Sequence, residues 1–142
     1  MNKELHETVA VIGSGTIGAS WATYFLAQGC SVRIWDPDSN FSERTKLFID
    51  SVWPIMKELG IAELASPDNA IYCKSMAEAI SGSTFVQESG PENAELKTKL
   101  IADVDSILSA DIVISSSSTA LPTSEFQGGA KHPERVVLGH PF

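Results

Sequence analysis

The stretch Thr8 to Asp36, TVAVIGSGTIGASWATYFLAQGCSVRIWD, limits the fold more than any other part of the chain. Val9-Ala10-Val11-Ile12 is a short apolar run of the kind that forms a buried strand. Gly13, Gly15 and Gly18 follow at once in G-x-G-x-x-G spacing. A helical pattern then runs from Thr16 to about Gln28, with Gly29 placed to stop it. A second strand, Val32-Arg33-Ile34-Trp35, ends at Asp36. The three glycines have distinct tasks. Gly13 permits the tight turn, Gly15 lets a pyrophosphate approach the backbone, and Gly18 lets the helix lie close to the sheet. The N–H groups at the helix start face phosphates, and Asp36 stands where a carboxylate accepts from a ribose diol. Strand, glycine loop, helix, strand and acid together predict a dinucleotide-binding α/β fold, a Rossmann-type doubly wound parallel sheet.

The rest of the chain fits one such domain. Its 142 residues suffice for one core, and 43% are hydrophobic, as in ordinary globular proteins. A net charge of −8 argues against nucleic acid or an anionic membrane surface as partner. No apolar run is long enough to span a bilayer. The start, MNKELHETVAVIG, carries no signal-peptide pattern. Cys30 and Cys73 lack metal-ligand or redox spacing and read as reduced, buried thiols. A cytoplasmic protein without metal is therefore expected.

Beyond Asp36, Pro37-Asp38-Ser39-Asn40 is a turn. A 2′-phosphate would meet the carboxylates of Asp36 and Asp38 there, with no Arg at a neighbouring position, so NAD is expected over NADP. Arg33 and Arg44 read as surface or packing residues. The apolar residues Phe41, Leu47, Phe48, Val52, Ile55, Met56 and Leu59 recur at helical intervals. Pro54 interrupts them and predicts a kink or two shorter helices. Strands are expected at Ala70–Cys73, Thr84–Gln87, Ile112–Ile114 and Val136–Leu138, bringing the total to about six. A small helix capped by Ser75, with Glu78 as its capping-box partner, lies between the first two of these. Another runs from about Pro91 to Leu108, with Leu96, Leu100, Val104, Ile107 and Leu108 on its apolar face. Such alternation predicts helices on both faces of the sheet. In open α/β sheets ligands bind at the carboxyl ends of the strands. The loop Glu88-Ser89-Gly90-Pro91-Glu92-Asn93 is therefore either a lining of the cofactor groove or simply a charged helix start. Ser115-Ser116-Ser117-Ser118-Thr119 is either a linker or a site loop.

VIGSGTIGASWA (11–22), FVQESGPENAELK (85–97), ISSSSTALPTSEF (114–126) and the closing GHPF (139–142) give the chain a resemblance to a known family. It resembles the N-terminal NAD-binding domain of the 3-hydroxyacyl-CoA dehydrogenases, over essentially its whole length. Within that family it looks closer to the L-carnitine and lambda-crystallin/L-gulonate enzymes. The Trp53-Pro54 and Leu59-Gly60 pairs tilt this toward the carnitine branch.

The resemblance implies oxidation of a 3-hydroxy group by NAD, with His140 as general base. Imidazole suits that role because its unperturbed pKa lies near ~6.5. The family's substrate-contacting serine falls best on Thr119, with Ser117 or Ser118 able to share the role. Asp36 would hold the adenosine ribose. Thr16 and Ile17 would meet the pyrophosphate through backbone, and Glu88 with Asn93 would lie by the nicotinamide. The substrate would be a small 3-hydroxy compound: L-carnitine, another hydroxy acid or an acyl-CoA.

Family members continue beyond the GHPF motif. A later glutamate polarises the histidine, and a helical domain closes the cleft and forms most of a homodimer. Residues 1–142 are accordingly expected to be the NAD-binding domain without that helical domain. They should bind NAD, turn over little alone and expose an apolar surface where the helical domain would pack. The competing reading is a free-standing dinucleotide-binding or sensor module without catalysis. A split enzyme and a flavin domain are weaker alternatives.

Overall fold

A computed structural model describes residues 7–141. Residues 1–6, read above for a signal peptide, and Phe142 of the GHPF ending lie outside the described residues. Six strands alternate with four helices: β1 (Thr8–Ile12), α1 (Thr16–Ala27), β2 (Ser31–Trp35), α2 (Phe41–Leu59), β3 (Ala70–Tyr72), α3 (Met76–Ile80), β4 (Phe85–Glu88), α4 (Ala94–Ile107), β5 (Val113–Ser116) and β6 (Val136–Leu138). All neighbouring strands pair in parallel, in the order β3-β2-β1-β4-β5-β6. This is the doubly wound Rossmann sheet, with its switch of direction between β1 and β4.

Both faces of the sheet are covered, so the strands read as continuous apolar runs. Alternation along β1 sends Val9 and Val11 to one face and Ala10 and Ile12 to the other. The first pair packs with Ala22 and Leu26 of α1 and with Ile49 and Trp53 of α2. The second packs with Ile80 of α3, Ile101 and Val104 of α4, and Phe126. Cys30 and Cys73 are buried free thiols, one on each side.

Of the two outcomes expected at Pro54, division into shorter helices is not seen: α2 is a single helix of 19 residues. Pro54 and Asp50, whose carbonyl loses its helical donor, are both on the exposed side, so the freed carbonyl is open to solvent. In α4 the buried stripe is Lys97, Ile101, Val104 and Asp105, while Leu96 and Ile107 are 55% and 45% exposed. Both charged residues of the stripe are neutralised, Lys97 by Glu88 at the end of β4 and Asp105 by Arg135 just before β6. Asp105 receives Arg135 Nε and Nη2 on Oδ1 at 2.8 and 2.6 Å, and the Lys131 N–H on Oδ2 at 2.7 Å. This ties α4 to the start of β6. Ser75 caps α3 by accepting from the Glu78 N–H, as its sequence predicts, and Glu78 reaches back to the Lys74 N–H.

Burial by itself raises the Asp105 pKa. The Arg135 hydrogen bonds, the Lys131 N–H and the guanidinium charge outweigh it and hold the carboxyl below its ordinary range. A folded-state pKa below the unfolded one gives stability that is full above the unfolded value, about 4, and is lost as pH falls through the folded value. The thermal midpoint should therefore hold from neutral pH down to about 5 and fall below about 4. Asp105→Asn should flatten part of that fall in a melting series against pH.

Candidate functional site at the carboxyl edge of the sheet

Strand register builds the site. Ile12 pairs with Trp35 and Glu88, Glu88 with Ser116, and Ser116 with Leu138, so these residues form one row. The residues that follow each of them, Gly13, Asp36, Ser89, Ser117 and Gly139, leave the sheet at the same edge. His140 is next after Gly139.

At β1 the glycine loop is compressed. Gly13 has φ +90°, and a Cβ there would lie 2.7 Å from the Ser89 carbonyl oxygen. A Cβ on Gly18 would lie 1.9 Å from the Gly13 oxygen. Gly15 has no atom within 4 Å of its Cβ position, so that side is open to a ligand. Gly15 starts α1 with no side-chain cap, and no acidic residue occupies the first turn. Thr16 and Ile17, the first residues of α1, are exposed. Open backbone donors at a helix start suit a pyrophosphate.

Asp36 is fixed in advance. Its Oδ2 accepts from the Ser14 N–H at 2.7 Å and its Oδ1 from the Asp38 N–H at 2.9 Å. Each oxygen retains acceptor capacity for a ribose hydroxyl. Beside it is an apolar cleft of about 310 Å³, lined by Trp35, Pro37, Met76, Pro91, Leu96 and Leu100 among others. Its apolar lining suits an adenine ring, and Leu96, exposed on α4, contributes to its wall.

The loop after β4 departs from expectation. Glu88, anticipated near a nicotinamide, is wholly buried and faces inward. Its Oε1 takes Lys97 Nζ at 2.7 Å and the Gly90 N–H at 2.6 Å, and its Oε2 takes the Ser116 hydroxyl. Lys97 Nζ also donates to the Gly90 carbonyl at 3.2 Å. Glu88 therefore shapes the loop, and its carboxylate is not presented to the groove. Asn93 caps α4, its side chain accepting from the Leu96 N–H at 2.9 Å.

Glu92 is the carboxylate that reaches the hydroxyl loop. It accepts from Ser118 Oγ at 2.9 Å and from the Thr119 N–H at 3.0 Å. Burial alone would raise its pKa, but the Ser118 hydroxyl, the Thr119 N–H and the Lys97 charge hold it below the usual range. Ser118 is 1% exposed and is committed to Glu92 and the Leu121 carbonyl. It acts as a brace, whereas Thr119 beside it is exposed. Ser117 Oγ accepts from Gln87 Nε2 at 2.7 Å and lies 2.8 Å from Ser89 Oγ. Gln87 Nε2 also reaches the Gly139 carbonyl at 3.2 Å, and the Gly139 N–H donates to the Ser116 carbonyl at 2.8 Å. His140, half-buried, follows Gly139 at this edge.

A Cβ on Gly139 would lie 2.0 Å from Ser115 Oγ. Gly139→Ala should drive the buried Ser115 hydroxyl into another rotamer, while Ser115 Cβ, 3.3 Å from the added atom, has to give only slightly. We expect a cost of about 1 kcal/mol in a urea melt.

The sequence reading gave no role to Lys97 or Gln87 and took Arg44 for a surface or packing residue. Lys97 had a signal: it stands four and seven residues before Ile101 and Val104, on the buried stripe. Arg44 lies one turn into α2 and its guanidinium pairs with Asp38, within 4.0 Å of Asp36 Oδ2. An arginine therefore does stand beside the strand-end acids.

An edge of this kind, at a parallel sheet's switch point, places the chain in the class of dinucleotide-binding α/β domains. Residues 8–142 match the NAD binding domain of the 3-hydroxyacyl-CoA dehydrogenases, and the chain belongs to that family, whose cofactor is NAD. It is 42% identical over 139 residues to the L-carnitine dehydrogenase of Nocardiopsis dassonvillei, covering 98% of this chain and 42% of that protein. The L-carnitine dehydrogenase of Streptomyces griseus is 42% identical over 134 residues, covering 94% of this chain and 40% of that one. Among solved structures, the 3-hydroxybutyryl-CoA dehydrogenase of Escherichia coli superposes with a TM-score of 0.84 at 25% identity, covering 96% of this chain and 29% of that one. The chain thus spans about two fifths of the curated relatives it matches. No helix among the described residues is long and apolar enough to cross a membrane.

Proposed function

We propose that this chain is the cofactor-binding part of an NAD-dependent dehydrogenase that oxidises a small 3-hydroxy acid, with L-carnitine the favoured substrate. The observation that carries the reading is the shared edge. Ser117, Thr119 and His140 follow β5 and β6 at the same carboxyl edge at which Gly13 and Asp36 follow β1 and β2, with β4 between the two pairs of strands. A sensor domain needs only the glycine loop and the acid. The carnitine assignment rests on the relatives at 42% identity.

Residues of the chain divide the work as follows. Asp36 orients the adenosine ribose, the cleft at Trp35 and Leu96 takes the adenine, and the start of α1 takes the pyrophosphate. NAD, when bound, supplies the hydride acceptor. His140 removes the proton from the substrate hydroxyl, and Thr119 Oγ1 hydrogen-bonds the same oxygen and orients it. Glu92, Ser118 and Gln87 hold this loop in place. An apolar face of α1 (Ile17, Trp21 and Tyr24) lines a cleft of about 390 Å³ next to Pro141. That face is where a substrate-side helical domain would dock, giving a two-domain dimeric enzyme. Alone, residues 1–142 would bind NAD and turn over little.

Calorimetric titration with NAD tests the first half, with Asp36→Ala expected to weaken binding by about tenfold or more. A chimera tests the second. The chain is joined to the unmatched remainder of the Nocardiopsis dassonvillei relative, and NADH formation from L-carnitine is followed. His140→Gln should cut the rate by about 100- to 10,000-fold. If the chimera binds NAD but the substitution leaves the rate intact, the general-base role fails. If NAD binds and no 3-hydroxy acid is oxidised, a binding or sensor module becomes the better reading.

A further inference from the structure

L-Carnitine carries a trimethylammonium group on the carbon next to its carbinol carbon. Whatever recognises that group must therefore stand close to the base. Pro141, the residue after His140, is one wall of the cleft of about 390 Å³ on α1. Ile17, Ser20, Trp21 and Tyr24 are its other walls, all from one face of the helix.

The cleft has the chemistry of a site for a quaternary cation. The Trp21 and Tyr24 rings stand nearly perpendicular, at 79° with centroids 5.9 Å apart, so they form the two sides of a corner. Phe25 stacks on the Trp21 indole at 5.5 Å and 20° and braces it. Aromatic faces carry negative potential and attract a cation, and a quaternary ammonium has no N–H that would ask for another partner. Ser20 spends its proton on the Thr16 carbonyl at 2.7 Å, so its hydroxyl presents lone pairs to the cleft. No charged side chain lines the cleft among the described residues, and the chain as a whole carries a net charge of −8. The carboxylate of a hydroxy acid has nothing to hold it there. Tyr24 is 47% exposed, so the corner opens to solvent, and a domain docked on this face of α1 would close over it.

We infer that Trp21 and Tyr24 are specificity-determining residues that hold the trimethylammonium group of the substrate by cation–π attraction, beside Pro141. The inference rests on the reading of L-carnitine as substrate and His140 as base. Its mark is a preference for positive charge. A cleft that merely took the acyl chain of another 3-hydroxy substrate would show none.

The test compares L-carnitine with 3-hydroxy-5,5-dimethylhexanoate, in which carbon replaces the quaternary nitrogen and the shape is kept. Each is titrated into the full chain saturated with NAD. Saturation transfer to the ligand methyl groups gives the affinities, and the indole N–H resonance of Trp21, assigned by its loss in Trp21→Phe, gives the location. L-Carnitine should shift that resonance saturably and bind about fivefold tighter than the neutral compound. In a merely apolar cleft the neutral compound binds tighter, because it is the more hydrophobic. Trp21→Phe, which keeps a ring, should retain a preference for L-carnitine. Tyr24→Leu changes an exposed side chain, so the fold should persist while the preference drops by half or more. Equal or tighter binding of the neutral compound, an unmoved Trp21 resonance, or a preference unchanged in Tyr24→Leu overturns the inference, and oxidation of L-carnitine by the chimera described above would still uphold the dehydrogenase reading. If that chimera binds NAD and oxidises no L-carnitine, the substrate reading falls and this inference with it.

Discussion

Replacing Lys97 with methionine should destabilise the chain by about 3–5 kcal/mol, the cost of leaving a buried charge without its partner. Lys97 is 1% exposed and Glu88 is wholly buried, 2.7 Å apart. Methionine fills the volume of the lysine stem, so packing is largely kept and the loss is electrostatic. Glu88 would then have to stay ionised in the core or take up a proton. Domains of this size have about 5–15 kcal/mol of stability, so the variant should melt far earlier in urea. Neutralising the partner as well supplies the control. Lys97→Met with Glu88→Gln should recover much of the loss, because no charge is then stranded. A double variant no more stable than the single one would show that Lys97 acts through its bond to Gly90 instead.

Gly18→Ala should abolish measurable NAD binding, by about 100-fold or more, and lower stability as well. The added Cβ would lie 1.9 Å from the Gly13 oxygen and 2.8 Å from the Gly13 carbonyl carbon. Both are backbone atoms of the phosphate loop, so no flexible side chain can yield. Either α1 lifts from the sheet or the loop reshapes, and the helix start then leaves its position. Gly15→Ala separates the causes. Nothing lies within 4 Å of that Cβ position, and Gly15 has φ −62°. Its stability should change by only about half a kcal/mol, while NAD binding weakens from crowding of the pyrophosphate. Circular dichroism melts beside calorimetry distinguish the two variants.

The elements that local chemistry dictates were legible in the sequence. The glycine spacing, Asp36 at a strand end and the six apolar runs lead directly to the observed sheet order and its carboxyl edge. Pairwise charge compensation was not legible. Asp105 looks like a surface residue, and the spacing that aligns Lys97 with Ile101 and Val104 names no partner for its charge, until Glu88 and Arg135 are seen to meet them across the fold. Glu88 and Glu92 are both acids of one loop, and no sequence pattern says which turns inward. Arg44 lies eight positions from Asp36, and only the turn through Pro37–Asn40 brings its side chain back over the strand end.

The loops after β4, β5 and β6 are tied together within this one chain, through Glu92 to Ser118 and Thr119, Gln87 to Ser117 and Gly139, and Gly139 to Ser116. Their conformational entropy is therefore lost during folding and not again when a ligand arrives. Amides of Ser117, Thr119 and Gly139 belong to one cooperative unit with the sheet and should exchange slowly with solvent. Any closing motion that catalysis requires must come from a body moving against this edge, because the edge itself is already set.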